Sequence, residues 1–381
     1  MLNFVVRVFE EITMKIILSL FLLFQALTSF ASDPWNTYQW NKKNVIAANG
    51  VIDSSPWYEW WYYKVVIPET GKSYFFVYGV VNPWDHDYLL KGTRSYVGMG
   101  DFSQKIQVES LHGLADFNAS YESTDIQVKN NIATDRFFSG SLTDNGHQFS
   151  WDINIQKNWS HNAEGWMMGT LITDIEWYPA QASAKCTGTV TSAGEEISFK
   201  DAPCYQDRNW GKTFPDWWTW IVSNHFENEP ESALVIGGGK PRVRGTRTPV
   251  ASVSIGLKHK GVVYSFIPVN MQYVQTDVSF GKWEVMAISS KYKIEISANA
   301  PKESFMDLQF VTPTGEVFHD YETLTGKLTV DLYEREGFFF KKIAHLTSNY
   351  AGIEFGSSGE FKELLKSKAA LNGQTMIGLL E

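Results

Sequence analysis

Two stretches hold the residues best suited to chemistry. The first is Trp57-Tyr58-Glu59-Trp60-Trp61-Tyr62-Tyr63-Lys64-Val65-Val66-Ile67. The second begins Cys204-Tyr205-Gln206-Asp207-Arg208-Asn209-Trp210-Gly211 and runs through Phe214-Pro215 into Trp217-Trp218-Thr219-Trp220-Ile221-Val222-Ser223-Asn224-His225-Phe226. A carboxylic acid enclosed by aromatic side chains loses hydration, so its pKa rises and it keeps its proton near neutral pH. Glu59 fits that description: strand alternation puts it on one face with Trp61, Tyr63, Val65 and Ile67, while Trp60, Tyr62, Lys64 and Val66 take the other. Lys64 marks that second face as outward or rim-facing. Asp207 is the rival acid, with Arg208 beside it favouring the ionised form. In the second stretch Trp218, Trp220, Val222, Asn224 and Phe226 share a face that suits a ligand-lined lumen; its plainer reading is a core strand. For Glu59 the plainer reading is a buried pair with Arg or Lys that holds the barrel shut.

The elements that must position these groups are strands. The first stretch reaches a Pro68-Glu69-Thr70-Gly71-Lys72 turn, and Ser73–Val81 returns as its hairpin partner. Short strands with turn signals recur through both halves, and Asp144-Asn145-Gly146 is a strong hairpin turn. Gly237-Gly238-Gly239 reads as a strand-end turn; it matches neither phosphate-binding fingerprint. The expected fold class is all-β: two lipocalin-like antiparallel β-barrels or sandwiches, at 35–202 and 203–356, with Pro203 as the boundary. A tail at 357–381 carries a short helix near 361–371.

Length and composition agree. At 381 residues two domains are the prior, and 44% hydrophobic with 20% charged residues is a globular balance. The aromatic content of 15% favours strands, and a net charge of −9 argues against nucleic acid as the main partner. Residues 1–31 read as a secretory signal: Met14-Lys15, the apolar run Ile16–Phe24, then Ser29-Phe30-Ala31, with Met14 as the better start. The protein is therefore expected to be exported, periplasmic or secreted, with no later membrane span. Export gives meaning to the two cysteines, Cys186 and Cys204, which flank an expected hairpin; a disulfide between them would contribute roughly 3 kcal/mol. The alternative is two buried thiols. Two cysteines offer too few ligands for zinc, and no metal is expected.

The two Trp-rich stretches together resemble the tocopherol cyclase family. The early match is Glu59, Trp61, Tyr62, Tyr63 and Lys64, with Ile67-Pro68-Glu69. The central match is Tyr205, Asp207, Asn209, Trp210, Gly211, Phe214, Pro215, Trp218, Trp220, Asn224 and Phe226, followed by Gly237–Gly239 and the late Gly326-Lys327-Leu328 run. Trp60 stands where the cyclases have Gly, as in the related carotenoid hydratase group, and Val222 replaces a Gln. The resemblance implies a pair of calycin barrels and an isomerase that closes a chromanol ring. A phenol O–H adds across the double bond of a prenylated benzoquinol, with no redox step and no cofactor. For that chemistry the residue types offer Glu59 and Asp207 as catalytic candidates, and Trp61, Tyr63, Asn209, Trp218, Trp220 and Asn224 as substrate-binding ones. Asn209 or Asn224 would orient the phenol, and the Trp218 and Trp220 faces would stabilise a tertiary cation. Trp210 is expected to be architectural. The implied partner is an apolar small-molecule ligand, with peripheral membrane contact for its uptake. The alternative function is a non-catalytic, lipocalin-like carrier of an apolar prenyl lipid.

Overall fold

The computed structural model describes residues 33–144, 146–245, 251–270 and 272–358. The leader-like segment and the expected C-terminal helix lie outside them. The described residues form two antiparallel sheets. The first contains β1 (Tyr58–Ile67), β2 (Lys72–Val81), β3 (Arg94–Asp101), β4 (Ile106–His112), β5 (Phe117–Ala119), β6 (Asp125–Val128), β7 (Asn131–Thr134), β8 (Phe137–Asp144), β9 (His147–Trp159), β10 (Ile175–Ser192) and β11 (Glu195–Gly211). Its order is β4-β3-β2-β1-β11-β10-β9-β8-β7-β6-β5.

The second sheet contains β12 (Trp217–Ser223), β13 (Ala233–Gly239), β14 (Ser252–His259), β15 (Val262–Phe266), β16 (Tyr273–Ser279), β17 (Lys282–Ile288), β18 (Tyr292–Asn299), β19 (Met306–Val311), β20 (Val317–Glu336) and β21 (Phe339–Ser357). Its order is β15-β14-β13-β12-β21-β20-β18-β17-β16, and β19 pairs with β20. A single turn and a half of helix, α1 (Lys42–Ala47), lies in the lead segment. Among the described residues no helix is long and apolar enough to cross a membrane.

Each sheet curls until its two ends approach, β3 near β6 and β14 near β16. The curl gives each sheet an inner face with its own apolar core: Trp61, Tyr63, Phe76 and Trp151 in the first, Ile221, Ile255, Trp283 and Ile353 in the second. The all-β architecture of two curled antiparallel barrels follows from this double enclosure. A third apolar cluster, including Tyr62, Val66, Phe75, Trp220, Val222 and Leu324, lies where the outer faces of the two sheets pack back to back. Both faces of β1 are therefore buried, which accounts for its continuous run of large side chains.

Two sequence expectations are corrected here. Lys64 is fully buried rather than at a rim, because the outer face of β1 meets the second sheet instead of water. The passage between sheets falls at residues 212–216, not at Pro203; that residue pairs with Lys185 inside the β10–β11 ladder.

Cys186 on β10 and Cys204 on β11 are bonded, with Cα atoms 5.8 Å apart and a sequence separation of 18. Replacing both by Ala is expected to lower unfolding stability by about 3 kcal/mol through the released chain entropy. Urea titration of that double variant checks it; an unchanged midpoint would show that the bond adds nothing to stability.

Candidate active site between the sheets

Register decides which side chains meet. In the β1–β11 ladder Trp60 pairs with Asn209, Tyr62 with Asp207, and Lys64 with Tyr205. These alternate with Glu59–Trp210, Trp61–Arg208 and Tyr63–Gln206 on the opposite face, from which Trp61 and Tyr63 enter the first core and Trp210 packs in a small cluster with Trp57 and Tyr178. In the second sheet Trp218 pairs with Gly356 and Trp220 with Glu354, while β20 sets Asp320 beside Gly356 and Glu322 beside Glu354. Period-two alternation thus aims Asp207 and Asn209 from one sheet, and Asp320, Glu322, Glu354, Trp218 and Trp220 from the other, at a common space.

That space is a cavity of about 190 Å³. Aromatic walls come from Trp60, Tyr62, Trp177, Phe214, Trp218, Trp220 and Phe310, and Met167, Ile267, Pro268 and Val269 add an apolar end. The indoles lie close against the strands. A Cβ at Gly356 would sit 2.0 Å from the Trp218 ring, and one at Gly237 would sit 2.4 Å from the Trp177 ring. Gly237–Gly239 is part of β13, not a strand-end turn: Gly237 lets the Trp177 ring lie on the backbone, and a Cβ at Gly238 or Gly239 would meet the backbone of the adjoining strands.

Four carboxyl groups converge in this apolar enclosure. The carboxylate or carboxyl oxygens of Asp320, Glu322 and Glu354 lie within 4.8 Å of one another. Trp218 Nε1 donates to Glu354 Oε1, and Tyr62 OH donates to Glu322 Oε1. Asp207 Oδ2 accepts from Trp177 Nε1 at 2.7 Å and from Tyr205 OH at 2.9 Å, and Trp220 Nε1 donates to that tyrosine oxygen at 3.1 Å. Among the described residues, Asp320 Oδ1 and Glu322 Oε2 are buried without any hydrogen-bond partner. Burial, reinforced by neighbouring carboxylates, drives the pKa values of Asp320 and Glu322 well up. Burial likewise lifts Glu354 to about 7, against the pull of the Trp218 N–H, and lifts Asp207 to about 7, against its two donors. Four like charges in so small and apolar a space cannot all ionise, so burial and mutual repulsion favour the proton-bound forms of the cluster.

The effect on stability has a definite sign. Asp207 binds its proton more tightly folded, at about 7, than at its ordinary value of 3.8. Its stabilising contribution is complete at low pH and is lost as pH rises to about 7. The fall in melting temperature between about pH 4 and 7 should shrink in Asp207→Asn. An identical profile would exclude Asp207 as a source.

The cavity collects some of the residues singled out in the sequence and omits others. Asp207, Asn209, Trp218 and Trp220 line it. The space they line lies between the sheets rather than inside a barrel lumen, because that face of β12 is an outer one. Trp61 and Tyr63 belong to the first core instead, Trp61 under the Arg208 guanidinium at 4.5 Å and Tyr63 stacked on Phe138 at 4.4 Å. Asn224 lies past the end of β12 and donates to the carbonyl oxygens of Cys204 and Ala184, tying the sheets together. Phe226, also beyond the strand, turns into the second core.

Glu59 does not reach the cavity. It is fully buried and ion-paired with Arg208. Its oxygens also accept from the backbone N–H of Gln39 at 2.9 Å, that of Trp40 at 3.1 Å, and Trp57 Nε1 at 3.3 Å. Burial raises its pKa, while Arg208 and these donors oppose the rise. The pair fastens the lead segment across the first core. Arg208 points to this face and so does not neutralise Asp207, its neighbour on the opposite face.

Asp320, Glu322 and Glu354 were missed by the sequence reading. Their signal was acids at alternate positions of strands, Asp320 and Glu322 flanking Tyr321, and Glu354 between Ile353 and Phe355. That pattern reads as a solvated face until a second sheet covers it.

The sequence model of tocopherol cyclase-like proteins matches residues 118–357. The chain belongs to the tocopherol cyclase-like family. It is 26% identical over 362 residues to the chloroplastic tocopherol cyclase of Zea mays, covering 80% of this chain and 76% of that one. The identity and coverage are the same for the Oryza sativa subsp. japonica counterpart. Among solved structures, this tocopherol cyclase-like protein is similar to a protein assigned as AttH from Nitrosomonas europaea, with a TM-score of 0.46 and 13% identity over 79% of this chain and 92% of that one. It is also similar to kievitone hydratase from Nectria haematococca, with a TM-score of 0.44 and 14% identity over 86% and 98% of the two chains.

Proposed function

We propose that this tocopherol cyclase-like protein closes a chromanol ring on a prenylated benzoquinol. The observation that supports it most is the cluster of carboxyl groups set in an aromatic cavity between the sheets. Adding a phenol O–H across a trisubstituted alkene needs a proton donor, a surface that tolerates a tertiary cation, and a group to receive the phenol proton. The Asp320–Glu354 pair is the donor, and its proton goes to the less substituted alkene carbon. The cation forms against the indole faces of Trp218 and Trp220, each worth about 2 kcal/mol or more when desolvated. The phenol oxygen attacks, the C–O bond forms, and an ionised neighbour in the cluster takes the phenol proton. Asn209 orients the hydroxyl, so nucleophile and alkene are aligned before protonation. One proton enters and one leaves, and the product keeps the mass of the substrate. The leader-like pattern at residues 14–31 supports the reading that this chemistry takes place outside the cytoplasm.

The test is to incubate the protein with a phytyl-benzoquinol, extract, and analyse by chromatography and mass spectrometry. A chromanol of unchanged mass is expected. Tight binding with the quinol recovered intact would favour the carrier instead.

A further inference from the structure

Lys64 is a fully buried lysine whose Nζ has no hydrogen-bond partner among the described residues. It shares the outer face of β1 with Tyr62, two residues before it, and its ammonium lies 5.8 Å over the Trp220 ring. Across from it on β20, Glu322 Oε2 is equally buried and equally without a donor. Burial lowers the pKa of Lys64 to about 8, and Glu322 is the charge that opposes the fall. The groups facing Glu322 are Tyr62 and Lys64 from β1, Asp207 from β11 and Glu354 from β21, with Asp320 on its own strand. Lys64 is the one cation in that set. The two atoms are a buried orphan donor and a buried orphan acceptor of opposite charge, and a pairing between them would satisfy both.

We infer that Lys64 is a positioning residue that holds Glu322 as the single ionised member of the cluster, so that Glu322 receives the phenol proton. This rests on the ring-closing reading of the site. It also explains how four neighbouring carboxyl groups supply both an acid and a base. Burial raises every acid of the cluster, and Lys64 is the one cation in the set that pulls Glu322 the other way, which offers one compensated carboxylate beside acids whose proton-bound forms burial favours. The balance closes: the Asp320–Glu354 pair gives a proton to carbon, the alkene π bond breaks, the C–O bond forms, and the phenol proton goes to Glu322. A proton shift from Glu322 to the acid pair resets the site.

The test compares wild type with Lys64→Met, Lys64→Arg, Glu322→Gln and the Lys64→Met/Glu322→Gln double variant. Loss of the cation raises the pKa of the base, so the acidic limb of the turnover–pH profile should move up by about one unit or more in Lys64→Met. At a pH below that limb this is a roughly tenfold loss per unit. Lys64→Arg should return the limb towards its wild-type position. A uniform loss of turnover with an unmoved limb would overturn the assignment. Melting temperatures need no substrate and give an independent reading. The two single shifts should exceed the double-variant shift when summed, because removing both members leaves no buried charge unpaired. Additive shifts would also overturn it. Should Lys64→Met fail to fold, the pairing requires the double variant to fold again, and no rescue means no pair. If wild type makes no chromanol, the ring-closing reading fails, while the melting-temperature cycle still decides whether Lys64 and Glu322 are coupled.

Discussion

Glu354→Gln is expected to lower ring closure by about 10²–10⁴-fold, the range for loss of a general acid. Glutamine keeps the volume of the side chain and an oxygen that accepts from Trp218 Nε1, so the indole stays where it is. What disappears is the transferable proton of Glu354, whose carboxyl sits in one cluster with those of Asp320 and Glu322. Because burial holds Glu354 at about 7, it still carries its proton in much of the population at neutral pH. The amide carries no transferable proton in its place. Asp320→Asn should show a loss of the same order, and the double variant should cost little more than either single one, since the pair acts as a unit. Ligand affinity, followed by quenching of the cavity tryptophans, should change only a few-fold. Turnover of Glu354→Gln within tenfold of wild type would remove it from the acid role.

Glu59→Gln carries the second large effect, and it falls on stability. Glu59 and Arg208 are both fully buried, and removing one partner leaves an uncompensated charge, which costs about 3–5 kcal/mol. The Arg208 guanidinium lies 4.5 Å from the Trp61 ring and 4.7 Å from the Trp210 ring, with Thr37 O as its other acceptor. Nothing in that setting replaces the carboxylate. Denaturant unfolding should show the loss, and Glu59→Gln/Arg208→Met should recover part of it by removing the stranded charge. The folded fraction should close the ring at close to the wild-type rate, since Glu59 lies on the far side of β1 from the cavity. A stable Glu59→Gln protein that lacks activity would reverse this assignment and return Glu59 to the chemistry.

The two outcomes invert the expectation drawn from residue types alone, and alternation explains why. Sequence correctly sorts β1 into a Glu59–Trp61–Tyr63 face and a Trp60–Tyr62–Lys64 face, and sorts β12 into Trp217–Ile221 and Trp218–Trp220 faces. A strand's period is local, so composition along it reveals which residues travel together. Which face meets a barrel core and which meets another sheet is a property of the assembled molecule. An acid among aromatics looks like a protonated donor in either case. Arg208, 149 residues away along the chain, makes Glu59 half of an ion pair.

By itself, then, the sequence determined the all-β class, the family, and the shared face of Trp218 and Trp220 that lines the cavity. These rest on short-range periodicity and on long runs of matching residues. Sequence alone leaves Cys186 and Cys204 open between a bond and two buried thiols, and the fold closes that choice. Only the tertiary structure decided that Asp320 and Glu322 are buried with the half-buried Glu354 beside them, that Lys64 is buried on the same outer face, and that Glu59 is spoken for. The physical reason is that charge state follows desolvation. Desolvation here comes from packing the outer face of one curled sheet on the outer face of another, a contact between strands far apart in the chain.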